Sequence, residues 1–245
     1  MKSVRLLFAC LASTALAAFA AESQDTYVLS YRVKAHPGRS TDLTEALKAH
    51  TQKFHTSGDV AWRLYRVMTG PDSGRIQITE GPSSLGAIGE RGNLGSAHSD
   101  NNLATVTPLI ADVGPRSVVR LLSDYSTAGF ANSAKHVLHR SFYVKPGQSS
   151  RLLAALKLLK PAWEKTKASV VVYQTYYSGE ARIVLARRLQ NGLKDVSPTA
   201  QAELIAAYDS IHGAGAYDKM ALSLEGMVEK IEDCILETLP LTAAK

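Results

Sequence analysis

The residues of this chain that could do chemistry are histidines, arginines and tyrosines, several of them set at every second position along predicted strands, where alternate side chains share a face. His139 is the best single candidate for an acid or base, and Ser141 and Tyr143 follow it on the same face. Arg32, Arg63 and Tyr65 take such positions in the first half of the chain, with Ser30, Arg75 and Gln77. Gln174, Tyr176, Arg182 and Arg188 are assigned the same face in the second half. Guanidinium and phenol groups of this kind would hold an anionic or carbonyl oxygen while an imidazole moves a proton. No catalytic residue is fixed by this, because GxSxG, HExxH and usefully spaced carboxylate pairs are lacking.

No metal site is expected. His50 and His55 are five apart on a predicted helix and so fall on different faces; His136 and His139 are three apart on a strand and point opposite ways. His212 stands alone near a helix end, where a helix-terminal charge or a loop residue is a plainer reading than a haem ligand. Gly86, Gly89, Gly92 and Gly95 follow a GxxG spacing, which suits a surface loop and not the GxGxxG phosphate cradle.

The elements that must position these groups occur twice. With Pro37 laid on Pro146, the segment from Tyr27 to Gly70 matches the segment from His136 to Gly179 without a gap, and ten of the pairs are identical, among them Leu43/Leu152 and Leu47/Leu156. Average composition would give about three, so a duplication is expected. In the first half, a strand from Tyr27 to Ala35 ends at Pro37-Gly38. A helix through Leu43, Leu47, His50 and Phe54 follows, then a hairpin of 61–69 and 75–80. A short helix from Ser84, a second from about Asn101 to Asp112, and a strand from Arg116 to Tyr125 complete it. The second half repeats the plan: strand 137–144, helix from Ser149, hairpin 170–177 and 182–189, a helix opened by Ser197-Pro198, a helix 216–230 and a strand 232–239. The domain reading is therefore 21–126, a linker at 127–133, and 134–245.

Residues 1–20 are read as a signal peptide, with Lys2 and Arg5 before an apolar run and Ala18-Phe19-Ala20 as the cleavage signal, so the protein is expected to be exported, periplasmic or secreted. Cleavage after Ala20 leaves a formal charge of +4, spread along the chain without a basic block, which argues against nucleic acid as a partner. No later run is long and apolar enough to span a membrane. Cleavage also removes Cys10, and Cys234 remains, without an internal disulfide partner, as a buried and inert thiol.

The βαββαβ order of each half, with strand endings Tyr31-Arg32-Val33-Lys34 and Phe142-Tyr143-Val144-Lys145-Pro146-Gly147, resembles the dimeric α/β-barrel superfamily in fused tandem form, over Gln24 to Pro240. The resemblance implies an α+β fold, with two ferredoxin-like halves packed sheet to sheet around a cavity. The superfamily includes cofactor-free monooxygenases, haem-degrading enzymes, chlorite-dismutase-like haem proteins and lactone isomerases, and fold does not choose among them. Two functional readings stay open. One is an exported protein that binds a small molecule or a partner in or near the cavity; the other is a monooxygenase-type oxidoreductase, cofactor-free or haem-linked. No cofactor is required by the residues, haem is allowed by the resemblance, and a homo-oligomer is compatible with both readings. Ser30 is aligned with His139, Arg32 with Ser141 and Tyr65 with Gln174, so a site is expected where the copies differ, in the second half.

Overall fold

A computed structural model describes residues 25–90, 94–130, 134–177 and 180–241. The expected signal peptide, Cys10 and positions 131–133 of the expected linker lie outside the described residues.

The first half runs β1 (Tyr27–Ala35), α1 (Ser40–Phe54), β2 (Trp62–Val67), β3 (Ile76–Ser83), α2 (Leu85–Glu90), α3 (Ser96–Asn101), β4 (Ile110–Val113) and β5 (Ser117–Leu121). The second runs β6 (His136–Val144), α4 (Ser149–Lys165), β7 (Ser169–Tyr177), β8 (Arg182–Leu189), α5 (Pro198–His212), α6 (Ala216–Glu225) and β9 (Val228–Leu239). Helix α1 forms because Leu43, Leu47, His50 and Thr51 recur on one face, and that face is buried. Helix α5 starts at the cap read from the sequence: the Ser197 hydroxyl accepts the Ala200 N–H at 3.3 Å, and Pro198 occupies the first turn.

The strands pair antiparallel in the order β5-β1-β3-β2 in the first half and β9-β6-β8-β7 in the second. Two further antiparallel seams, β2 with β9 and β5 with β7, join them edge to edge and close an eight-stranded barrel. The halves therefore meet through backbone ladders, and the cavity lies inside one continuous barrel instead of between two stacked sheets. Strand β4 pairs with the last residues of β1, beyond the stretch of that edge that β5 occupies. Closure leaves no open edge among the eight barrel strands.

Helices cover the outer surface in two cores. Leu29, Val33, Leu64, Ile76 and Ile78 pack under Leu43 and Leu47 of α1. Phe142, Val170, Val172 and Ile183 pack under Leu152, Leu156, Leu159 and Trp163 of α4. Cys234 is buried on β9, its Sγ accepting from Arg32 Nη2 at 3.3 Å, and burial is the main cause that raises its thiol pKa.

The structure corrects three element expectations. The helical run expected from Asn101 to Asp112 starts earlier and ends sooner: α3 continues into a π-helical turn at Asn102–Val106 and a 3-10 turn at Thr107–Leu109, and Ile110–Val113 is β4. Pro108, directly after the β-branched pair Val106-Thr107, has no N–H to extend the α-helical ladder, and the helical run ends at Leu109. The helix expected to reach Lys230 ends at Glu225, and β9 begins at Val228 after a turn in which the Met227 N–H bonds to the Leu224 carbonyl at 2.9 Å. The strand expected to run to Tyr125 ends at Leu121, and Ser123–Tyr125 forms a tight turn.

Candidate functional site

Inside the barrel is a cavity of about 230 Å³ whose walls include Ser30, Arg32, Tyr65, Gln77, His139 and Arg182, with Tyr173 and Phe130 as aromatic surfaces. His139 comes from the middle of β6, opposite Ala186 on β8 and Cys234 on β9, both small neighbours that leave room before the ring. Its Nδ1 is buried with no hydrogen-bond partner. Burial is the largest cause depressing its pKa, to about 3, and the positive charges of Arg32 and Arg182 act in the same direction. At neutral pH the ring is uncharged, one nitrogen a donor and the other an acceptor.

Arg182 holds Ser117 Oγ through Nη2 at 3.1 Å, while its Nε is also buried without a partner. Each nitrogen of Arg32 has a protein partner: Nε donates to Gln77 Oε1 at 3.0 Å, Nη1 to Asp72 Oδ2 at 2.7 Å and Nη2 to Cys234 Sγ at 3.3 Å, which leaves one N–H on each Nη for a ligand. Asp72 also pairs with Arg75 at 3.1 Å, and Arg75 with Asp112 of β4 at 2.6 Å, so an ionic chain rims this part of the cavity. The cavity therefore combines a fixed positive potential, aromatic walls and two orphaned nitrogens. Such orphans are costly unless a ligand supplies their partners.

The candidates from the sequence divide among three places. Arg32, Tyr65 and His139 line the main cavity. Arg63 and Arg188, with Tyr65 again, surround a smaller space of about 60 Å³ beyond Phe130. There the Arg63 guanidinium lies 3.8 Å from the Phe130 ring centre, and Arg188 donates to the Gly129 carbonyl at 2.6 Å and to Ser169 Oγ at 3.2 Å. Arg188 thus fastens the segment between the halves and is structural. Tyr143 is engaged outside the main cavity, donating to Glu232 Oε2 at 2.6 Å.

Gln174 and Tyr176 require a correction, because neither lines the cavity. On β7 it is Val171 and Tyr173 that pack inside the barrel, whereas Val170 and Val172 join the helix-side core. Gln174 is instead reached by Arg120 at 3.5 Å, and Tyr176 is exposed, its ring edge-on to Tyr27 at 5.2 Å. Sheet register gives the reason. Ser30 opposes Thr79, which opposes Arg63; His139 opposes Ala186, which opposes Val171. Arg63 thus corresponds to Val171 and Tyr65 to Tyr173, one residue off the gapless alignment. A one-residue slip reverses every side chain of a strand.

A second assembly sits outside the barrel, between α1, α3 and the outer face of the first-half strands. His50 Nε2 is 3.2 Å and His55 Nε2 3.1 Å from His98 Nε2. This corrects the expectation that His50 and His55 fall on different faces and so cannot share a metal. A five-residue step along a helix rotates about 140°, but His55 lies past the helix end with φ −134° and ψ 36°, which turns its ring back toward His50. Sequence reading also passed over His98, which lies 43 residues beyond His55 in the glycine-rich segment, and no local spacing signals that approach. The Trp62 ring stacks on His55 at 3.8 Å and 12°, and its Nε1 donates to buried Glu80 at 2.8 Å. His55, His98, Trp62 and Glu80 all line a cavity of about 590 Å³.

Neither the barrel cavity nor His212 is arranged to hold haem. The barrel cavity of about 230 Å³ has the volume of roughly eight waters, well short of a four-pyrrole macrocycle. His212 is exposed, with Nε2 2.9 Å from the Leu158 carbonyl oxygen.

No family model and no curated protein matches the chain. Solved structures do. A Fusobacterium nucleatum protein described as a monooxygenase superposes with a TM-score of 0.59 at 10% identity, over 89% of this chain and 94% of that one. An anthrone oxidase-like protein gives 0.53 at 13% identity, over 89% and 93%. A chlorite dismutase variant from Candidatus Nitrospira defluvii gives 0.53 at 10%, over 90% and 93%. At such identities the likeness is one of fold, the α/β-barrel.

Proposed function

We propose that the barrel cavity binds a one- or two-ring molecule carrying a carboxylate, carbonyl or phenolic oxygen, with His139 and Arg182 as its polar contacts. The observation that carries this reading is the pair of orphaned nitrogens, His139 Nδ1 and Arg182 Nε, at one small aromatic-walled cavity. An anionic ligand bound there would offer acceptors to these nitrogens and offset the Arg32 and Arg182 charges, which add to burial in depressing His139. Ligand binding is then linked to proton uptake by the imidazole. Calorimetry with small aromatic acids and ketones tests this. Micromolar to millimolar binding weakened about tenfold or more by Arg182→Met is expected, the loss of about one charge-assisted hydrogen bond; binding indifferent to both Arg182→Met and His139→Phe would refute it.

The fold likeness to a protein described as a monooxygenase and to an anthrone oxidase-like protein favours a second step, oxidation of the bound molecule. In that reading His139, made more basic by the bound anion, accepts a proton from an activated carbon or hydroxyl, and Arg32 and Arg182 stabilise the resulting anion. Conversion of an activated methylene and dioxygen to a carbonyl and water balances without another reductant. An oxygen electrode reads it directly, and consumption unchanged in His139→Phe would exclude His139 as the base. Two further readings belong with this proposal: residues 1–20 direct export, and the two halves are tandem ferredoxin-like copies.

A further inference from the structure

We infer that His50, His55 and His98 form a binding site for one divalent first-row transition ion, of the zinc class, with an exchangeable position open to the outer cavity. The site lies on the opposite side of the sheet from the barrel cavity and is independent of what that cavity binds.

Hydrogen bonds fix the tautomers. His55 Nδ1 lies 2.9 Å from the Val60 carbonyl oxygen, which can only accept, so Nδ1 carries the proton and Nε2 presents a lone pair. His50 Nδ1 lies 2.7 Å from Asn101 Oδ1, with the same consequence. Two lone pairs thus converge on His98 Nε2, at 3.1 and 3.2 Å. One ring N–H on His98 can serve only one of them, whereas a cation takes the lone pairs of all three rings.

The distances suit a metal. Tetrahedral bonds of about 2.0–2.1 Å place ligand nitrogens about 3.3–3.4 Å apart, close to the two observed edges. All three ligand atoms lie within 4.8 Å of one another, so ring rotation closes the third edge. The backing of His50 and His55 is that of a metal site, in which a ligating imidazole is oriented through its other nitrogen by a carbonyl or amide oxygen. His50 and His55 are each 1% exposed, and the stack of Trp62 on His55 holds that ring in place. Three neutral imidazoles favour zinc, copper or nickel over magnesium or calcium. The Glu80 carboxylate in the same cavity wall contributes charge opposite to that of the ion. Three protein ligands beside a cavity is the pattern of a site that keeps a position for water or a small anion.

The full chain, stripped with a chelator, would be titrated with Zn²⁺ by calorimetry and with Co²⁺ by visible absorption. One Zn²⁺ per chain is expected, along with Co²⁺ bands of a low-coordinate site. His98→Ala, at the half-buried ligand, should weaken binding by more than the about 10–100-fold that an outer partner costs, and Asn101→Leu should fall within that range. His212→Ala should bind as the wild type does. Circular dichroism identifies any variant that fails to fold, and the half-buried His98 and outer-shell Asn101 positions provide two separate tests. No uptake by folded wild type at micromolar metal, or uptake unchanged in both His98→Ala and Asn101→Leu, would overturn the site.

Discussion

His139 makes a prediction about acid. Its imidazole has a reference pKa of 6.5, which the fold lowers to about 3. Between those values the unfolded chain binds the extra proton, so the contribution of neutral His139 is complete above about pH 6.5. It is then lost at about 1.4 kcal/mol per pH unit as acid is added toward pH 3. Carboxylates contribute their own slope, but equally in a variant, so denaturant unfolding of wild type and His139→Gln at pH 7 and pH 4.5 isolates the term. The gap should narrow by roughly 2–3 kcal/mol in favour of the variant at the lower pH; parallel curves would place His139 in contact with solvent. The same residue shows what is legible at this scale. His139, Arg32 and Tyr65 could be assigned to the barrel face because β1, β2 and β6 alternate in polarity. His98 could not be paired with His50 and His55, because the contact depends on a helix end and a connection of more than forty residues.

At the scale of elements, strand β7 shows where periodicity runs out. Val170, Val171 and Val172 are all buried, at 1%, 1% and 0% exposure, since one face meets the helices and the other fills the barrel. A run apolar on both faces carries no alternation, and an alignment to the first half misplaces its register because the connection before it differs by one residue. Elements marked by caps and turns, such as α5 behind Ser197-Pro198, were readable to the residue. The segment between the halves supports a second prediction. Arg188, 7% exposed, holds the Gly129 and Phe130 carbonyls and Ser169. Arg188→Ala should destabilise the fold by about 2–4 kcal/mol, the loss of buried charge-assisted bonds with acceptors left behind. Hydrogen exchange should accelerate at Thr127 and Ala128, whose amides bond to Val170. Exchange unchanged there would mean that the segment is held by Thr127 and Phe130 alone.

For the whole molecule, the order of strands and helices foreshadowed a barrel, but not how it closes. Closure rests on the β2–β9 and β5–β7 ladders, between strands far apart in sequence, and backbone pairing at such range leaves no trace in residue type. The main cavity inside the barrel and the cavity under the first-half helices differ in chemistry: guanidinium and a neutral imidazole line the first, and three converging imidazoles, two of them in its wall, stand at the second. Among the described residues no helix is long and apolar enough to cross a membrane. The central claim is that the inner cavity is a ligand site built around His139. Its most direct test is the long-range ¹H–¹⁵N spectrum of the histidine side chains during titration with benzoate, salicylate and acetophenone. The account predicts a saturable shift of the His139 ring nitrogens with at least one of these probes, absent from exposed His36 and His212 and lost in Arg182→Met. His139 resonances that stay fixed with all three, or that move no more than those of His36, would contradict it.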